Sequence, residues 1–294
     1  MTRKTLKVAL LQLGAGAGQE QARVAAERAL AEAAEAGATL ALLPELHLHH
    51  YFCQTHSLAN FALAEPLPGP YSDWLGEQST RHGLVIVGST FERREPGLYF
   101  NTAVVTDTDG QVAGYYRKQH IPDDPGYHEK YYFTPGDGEL TCIETSVGRL
   151  GVLVCWDQWF PEAARILALD GADLLLYPTA IGWDSADDGD EQARQHDAWQ
   201  TVQRGHAIAN GLPLLACNRI GQESAGEMPG QRFWGASFVA GPQGEVLARA
   251  SHDQPETVLA TIDWRRRDAV RRVWPFFRDR RIDRYSPILQ RTAG

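Results

Sequence analysis

Cysteine is sparse in this chain of 294 residues. Only Cys53, Cys142, Cys155 and Cys217 occur, far apart. That spacing matches neither a dense disulfide framework nor a paired Cys-x-x-Cys zinc site, and a reducing, cytoplasmic setting is the expectation. Positive charge is also short, with 28 Lys and Arg against 37 Asp and Glu and a net charge of -9. This balance argues against nucleic acid or an anionic membrane as partner, because both need a clustered positive footprint. A small or cationic substrate fits better. No apolar run is long enough to span a bilayer. The opening MTRKTLKVALLQL has too brief an apolar stretch, and no small-residue cleavage site, for a signal peptide, so it reads as a first β-strand. Low-complexity linkers and short-period repeats are missing too, which leaves one domain, 1-294, as the expectation. Its segment 274-294 reads as a polar tail involved in packing or oligomerisation.

What is present alternates between strand and helix. Residues 8-12 are an apolar strand, and 19-36 is an Ala/Glu-rich stretch of helical period that Gly37 ends. Strands are expected at 39-43 and 84-90, with a helix over 71-82 before the second. Residues 99-106 and 112-117 flank Asp109-Gly110 and read as a hairpin. Buried-type strands follow at 150-154, 174-177 and 212-217, separated by helices at 161-169 and about 192-210. A second hairpin around 241-244, a strand at 257-262 and a charged helix at 263-273 complete the pattern. Mixed sheets covered by helices are the predicted architecture.

Three of these strands end in a polar group. Glu45 follows TLALLP, Lys118 follows VAGYYR, and Cys155 follows RLGVLV, so each sits at the sheet rim where α/β folds build sites. A thiol of ordinary pKa, near ~8.5, is mostly protonated at neutral pH and needs a base or a nearby cation to attack. Glu45 can be that base and Lys118 that cation. Attack on a carbonyl creates an oxyanion, which Lys118 and the backbone N–H of Trp156 could hold. Singly, each residue has a plainer reading: Cys155 as a small core hydrophobe, Glu45 as a surface or capping carboxylate, Lys118 as a solvated edge charge.

The segments PELHLHHYF around Glu45, YYRKQHIPDDPGYHEKYYFTPGD after Lys118, and VLVCWDQWFPEAARILALDGADLLLYPTAIG around Cys155 resemble the nitrilase superfamily of carbon-nitrogen hydrolases, over residues from about 5 to 285. The resemblance implies an α/β fold, a four-layer α-β-β-α sandwich, with a Glu-Lys-Cys triad carried by Glu45, Lys118 and Cys155. It also implies a supporting glutamate after the lysine, at Glu129, and homo-oligomers built through sheet-flanking helices and C-terminal segments. Cysteine-dependent cleavage of an N-carbamoyl amine such as N-carbamoylputrescine to amine, ammonia and carbon dioxide is the expected activity, without cofactor or metal. Action on N-carbamoyl-β-alanine, an ω-amide or a nitrile is the alternative. A non-catalytic binding protein of the same fold is a third reading.

Residues expected to touch substrate are Tyr51, Asp124, Trp156, Trp183, Asp184 and Asp187. The acids in YPTAIGWDSADDGDEQARQHDAW suit a cationic amine tail, although any one of them, Asp190 as a helix N-cap included, has a solvated-loop alternative. Trp183, in the step Gly182-Trp183-Asp184-Ser185, is expected to shorten the distal end of the pocket. Arg194 and Arg204 on the following helix leave a carboxylate substrate open. Cys53 is a possible pocket residue, and Cys142 and Cys217 read as core. His47, His49, His50 and His56 lack a completing ligand set and are expected at the surface or an interface.

Overall fold

The computed structural model describes residues 4–16, 18–184, 186–226 and 228–292, with 225 and 228 described by their backbone alone. Met1 to Arg3 of the expected first strand, Ser185 of the Gly182 step, and Ala293 and Gly294 of the tail lie outside these. In chain order the elements are β1 (Thr5–Gln12), α1 (Gln19–Glu35), β2 (Leu40–Leu42), α2 (Pro70–His82), β3 (Val85–Glu95), β4 (Leu98–Thr106) and β5 (Val112–Arg117). There follow β6 (Ile143–Thr145), β7 (Gly148–Val152), α3 (Pro161–Leu169), β8 (Leu174–Thr179), β9 (Gly182–Trp183), α4 (Gly189–Asn210) and β10 (Leu214–Asn218). The chain continues through β11 (Ile220–Ala225), β12 (Met228–Trp234), β13 (Phe238–Ala240), β14 (Val246–Arg249), β15 (Glu256–Asp263) and α5 (Trp264–Val273).

Two six-stranded sheets form, ordered β15-β1-β2-β3-β4-β5 and β14-β13-β10-β8-β7-β6. Strand alternation sorts their residues into layers. Val8, Leu10, Leu40, Leu42, Val85 and Val87 join one core with Leu150, Val152, Leu174 and Leu176, so the inner faces of the two sheets pack on each other. The intervening Ala9, Leu11, Ala41, Leu43 and Ile86 point the other way, onto Ala22, Ala26, Leu30 and Ala33 of α1 and Trp74 and Leu75 of α2. Ala163, Ala164 and Leu167 of α3 and Trp199 of α4 cover the second sheet. The result is the four-layer α-β-β-α order. Among the described residues no helix is long and apolar enough to cross a membrane.

A third sheet, β11-β12-β9, has no counterpart in the strand pattern read from sequence. It rises from the end of β10 and pairs Trp183 with Arg232 and Gly182 with Phe233. Helix α4 starts at Gly189, with Asp188 as the N-cap accepting from Glu191 N at 2.8 Å. Asp188 therefore holds the capping position expected of Asp190, two residues earlier than the sequence pattern placed it. In the C-terminal segment Phe277 packs on the core, under the guanidinium groups of Arg165 and Arg271. Trp274, Phe276, Ile282, Tyr285, Ile288 and Leu289 stay exposed.

Candidate active site

Each candidate residue reaches the site from the end of a strand. Glu45 lies just past β2, where its N–H donates to Thr179 O at 3.3 Å and the next residue, Leu46, turns through a positive φ of 49°. Lys118 directly follows β5, its N–H on Asn101 O at 2.9 Å. Cys155 opens a tight 3-10 turn, Cys155–Trp159, after β7 and has φ 42°, a left-handed conformation that a side-chain-bearing residue holds only when its surroundings enforce it. Asp157 enforces it. Its carboxylate accepts Val154 N and Tyr116 OH, each at 2.9 Å, and His120 N at 3.0 Å, which ties the turn to the loop after Lys118.

The three side chains and Glu129 are brought together in the interior, all of them buried. Lys118 Nζ donates to Glu45 Oε1 at 2.8 Å and to Glu129 Oε1 and Oε2 at 2.8 and 2.7 Å. Asn101 Nδ2 donates to Glu45 Oε1 at 2.6 Å, and Tyr51 OH to Glu129 Oε1 at 2.6 Å. Glu45 Oε2 has no partner among the described residues, so one lone-pair site of that carboxylate is free to take a proton. Cys155 Sγ points toward Ala180 O at 3.7 Å.

Burial lifts the Cys155 thiol well above its ordinary value, the Glu45 carboxylate adds to that, and Lys118 opposes it. The thiol therefore rests protonated and needs a base at the moment of attack. For Lys118 burial acts downward, yet the carboxylates of Glu129 and Glu45 outweigh it and hold the ammonium above its usual range. Glu129 is pushed up to about 7, by burial first and by Glu45, with Lys118 pulling the other way.

Above Cys155 opens a cavity of about 500 Å³. Trp156, Trp159 and Trp234 form its apolar wall, and Asp124, Asp184 and Asp187 supply three carboxylates. Among the described residues that line it there is no Lys or Arg. Arg194 turns to Glu191, and Arg204 to Gly244 O.

Two expected substrate contacts are not on this wall. Trp183 donates from Nε1 to Gln192 O at 2.9 Å and lies between His252, Trp234 and the Arg232 guanidinium, because pairing of β9 with β12 turns its ring away from the cavity. Tyr51 is buried beneath the site, with its hydroxyl committed to Glu129. Cys53 is buried beside it. Of the histidines, His47 is no surface residue: it packs against Tyr71 and Trp74 under α2. Among the described residues no three His, Cys, Asp or Glu side chains are grouped to hold a metal. The sequence reading misses Asn101 and Asp157. Their only signal is a polar side chain inside or directly after an apolar strand, in YFNTAVV and VLVCWDQ.

The sequence profile described as carbon-nitrogen hydrolase matches residues 7–272, and the chain belongs to that family, the nitrilase superfamily. It is 43% identical over 268 residues to the N-carbamoylputrescine amidase of Solanum lycopersicum, covering 90% of this chain and 88% of that one. It is 38% identical to the citrullinase of Francisella tularensis subsp. tularensis, over 97% and 99% of the two chains. The crystal structure of a carbon-nitrogen hydrolase from Helicobacter pylori G27 superposes with a TM-score of 0.94 at 46% identity, over 98% of this chain and 99% of that one.

Proposed function

We propose that this carbon-nitrogen hydrolase cleaves N-carbamoyl amines with a cationic tail, N-carbamoylputrescine foremost, using Cys155 as nucleophile. The observation that carries the reading is the buried Glu45–Lys118–Glu129 set, which sits beside a strained cysteine and opens onto a cavity whose charged groups, among the described residues, are all acidic. Glu45 takes the thiol proton, the sulfur adds to the ureido carbon, and the oxyanion rests on Lys118 and the Trp156 N–H. As the tetrahedral adduct collapses, the departing nitrogen takes the proton from Glu45 and leaves a thiocarbamate on Cys155. Glu45 then deprotonates a water that cleaves the C–S bond, restoring the thiol, and the released carbamate breaks down with loss of carbon dioxide. Glu129 keeps Lys118 charged and pointed at the reacting carbonyl.

The similarity to N-carbamoylputrescine amidases supports the putrescine reading, and the similarity to a citrullinase supplies the competitor. Citrulline carries a carboxylate beside its α-ammonium, and for that carboxylate an arginine on the cavity wall would be the complement; three aspartates there suit a tail that bears an ammonium alone. The reading extends to a single-domain cytoplasmic enzyme whose exposed aromatic and aliphatic residues after Val273 are covered in a homo-oligomer. The test is ammonia release from N-carbamoylputrescine, L-citrulline, N-carbamoyl-β-alanine, an ω-amide and a nitrile. N-carbamoylputrescine is expected to have the highest kcat/KM, and Cys155→Ala to abolish turnover while leaving the circular dichroism spectrum unchanged. Preference for citrulline would sink the tail assignment, and activity in Cys155→Ala would sink the nucleophile.

A further inference from the structure

We propose that a buried ion pair outside the catalytic set, Arg219–Glu223, is the positioning device for both active-site glutamates, acting through the segment that joins Glu45 to Tyr51. This rests on the catalytic roles proposed above. Arg219 sits between β10 and β11 and is fully buried. One arm of its guanidinium donates to Leu46 O at 3.2 Å and His49 O at 2.8 Å, the other pairs with Glu223 Oε1 at 3.1 Å, and its face lies over the Phe233 ring. Glu223, on β11, accepts Tyr51 N at 2.6 Å. Phe233 also meets the Tyr51 ring edge-on.

The consequence is geometric. Leu46 adjoins Glu45 and holds a positive φ, so its carbonyl must be gripped for Glu45 to keep its direction. At the other end of the segment, the Tyr51 amide is gripped by Glu223 and the Tyr51 hydroxyl grips Glu129. One ion pair thus fixes Glu45 through its neighbouring carbonyl and Glu129 through one intervening side chain. The planar fork spreads its donors so that one arm serves the two carbonyls while the other faces the carboxylate. A buried pair of this kind contributes little net stability, because desolvation of both charges offsets their attraction. Its placement across the segment that carries both glutamates is therefore better accounted for by positioning than by stability.

The test uses Glu223→Gln, which keeps an oxygen for the Tyr51 N–H but removes the charge, and Arg219→Lys, which keeps the charge but not the fork. The first readout is the rate of iodoacetamide alkylation at Cys155 across pH 5 to 9, with peptide mapping to separate it from the other three cysteines. The second is kcat and KM for N-carbamoylputrescine per reactive thiol. Both variants are expected to displace the alkylation profile and to lower kcat per thiol by about 10- to 100-fold, the scale of a misplaced catalytic group, with KM within about twofold. Tyr51→Phe, which cuts the link to Glu129 and leaves the ion pair intact, should displace the profile too, and it serves if Glu223→Gln fails to fold. Folded variants with a wild-type profile and wild-type kcat per thiol, whatever their thermal stability, would overturn the inference, as would a wild-type profile in Tyr51→Phe. An unreactive Cys155 in the wild-type enzyme would instead overturn the catalytic reading on which the inference rests.

Discussion

Lys118 is the residue on which the site converges, since two carboxylates share its three N–H donors. With Glu129 satisfied twice over, the oxygen left unpartnered belongs to Glu45, an asymmetry that supports the proposed roles of Glu45 as base and Glu129 as support. Tail recognition is proposed for other residues that line the cavity. Asp184 and Asp187 are half-buried there, where a carboxylate facing an ammonium is worth about 1 kcal/mol, roughly fivefold in affinity. Asp187→Asn and Asp184→Asn are each expected to raise KM for N-carbamoylputrescine about fivefold with kcat within twofold, while KM for the neutral-tailed N-butylurea stays unchanged. Steady-state kinetics on the two substrates would check this, and equal effects on both would remove the acids from tail recognition. Glu45, Lys118, Cys155 and Glu129 are legible in the sequence because each stands beside a strand end or within a distinctive motif. Tyr51 and Trp183 do not line the cavity, and the sequence does not show this because their ring directions depend on a loop and a two-residue strand, neither of which carries a period to count.

At the scale of elements, the strand, turn and helix of VLVCWDQWFPEAAR are written in an apolar run followed by Pro161 at the helix start. The sequence does not reveal how a non-glycine residue holds φ 42° at Cys155. The structure places that task on Asp157, whose two oxygens satisfy the Val154 N–H, the Tyr116 hydroxyl and the His120 N–H. An asparagine can accept at only one of its two ends. Asp157→Asn is therefore expected to leave at least one buried donor unpaired and to cost about 1–3 kcal/mol, with a fall in kcat because the turn no longer over-determines the cysteine. Urea unfolding together with kcat per reactive thiol would check it; an unchanged midpoint would show that the turn holds without the carboxylate. The third sheet is illegible for a related reason. Strand β9 has only 2 residues, and β11 and β12 carry Gly, Gln and Glu where a buried strand shows aliphatic residues, so no apolar run marks them.

For the whole molecule, mixed sheets covered by helices were legible in the succession of strands and helices, whereas the four layers were implied by the family resemblance; in the structure the alternation in β1, β2 and β3 assigns one set of side chains to the space between the sheets and the other to the helices. The same close packing makes the fold sensitive to acid. His47, His49 and His196 are held down to about 3, 4 and 4, chiefly by burial. The sequence reading placed His47 and His49 at the surface or an interface and did not single out His196. A histidine lowered in this way contributes stability that is fully present above its unfolded value of 6.5 and is lost as pH falls toward the folded value. Each contributes up to about 1.4 kcal/mol per pH unit. Glu129, raised from 4.5 to about 7, acts with the opposite sign: its contribution is present below 4.5 and lost as pH rises through 7. His206 and His82, also lowered chiefly by burial, act in the same direction, so the histidines outnumber Glu129 and leave a net loss on acidification. Partial exposure of His49 and His196 brings it to about 1–2 kcal/mol per unit between pH 6.5 and 4.5. Urea midpoints measured from pH 7 to 4.5 should fall accordingly. His47→Gln, whatever its own cost in stability, should flatten the slope, because the residue packed between Tyr71 and Trp74 no longer has a proton to gain on unfolding. A slope of the opposite sign in the wild-type protein, or one unchanged by His47→Gln, would mean that the buried histidine is not what couples this fold to pH.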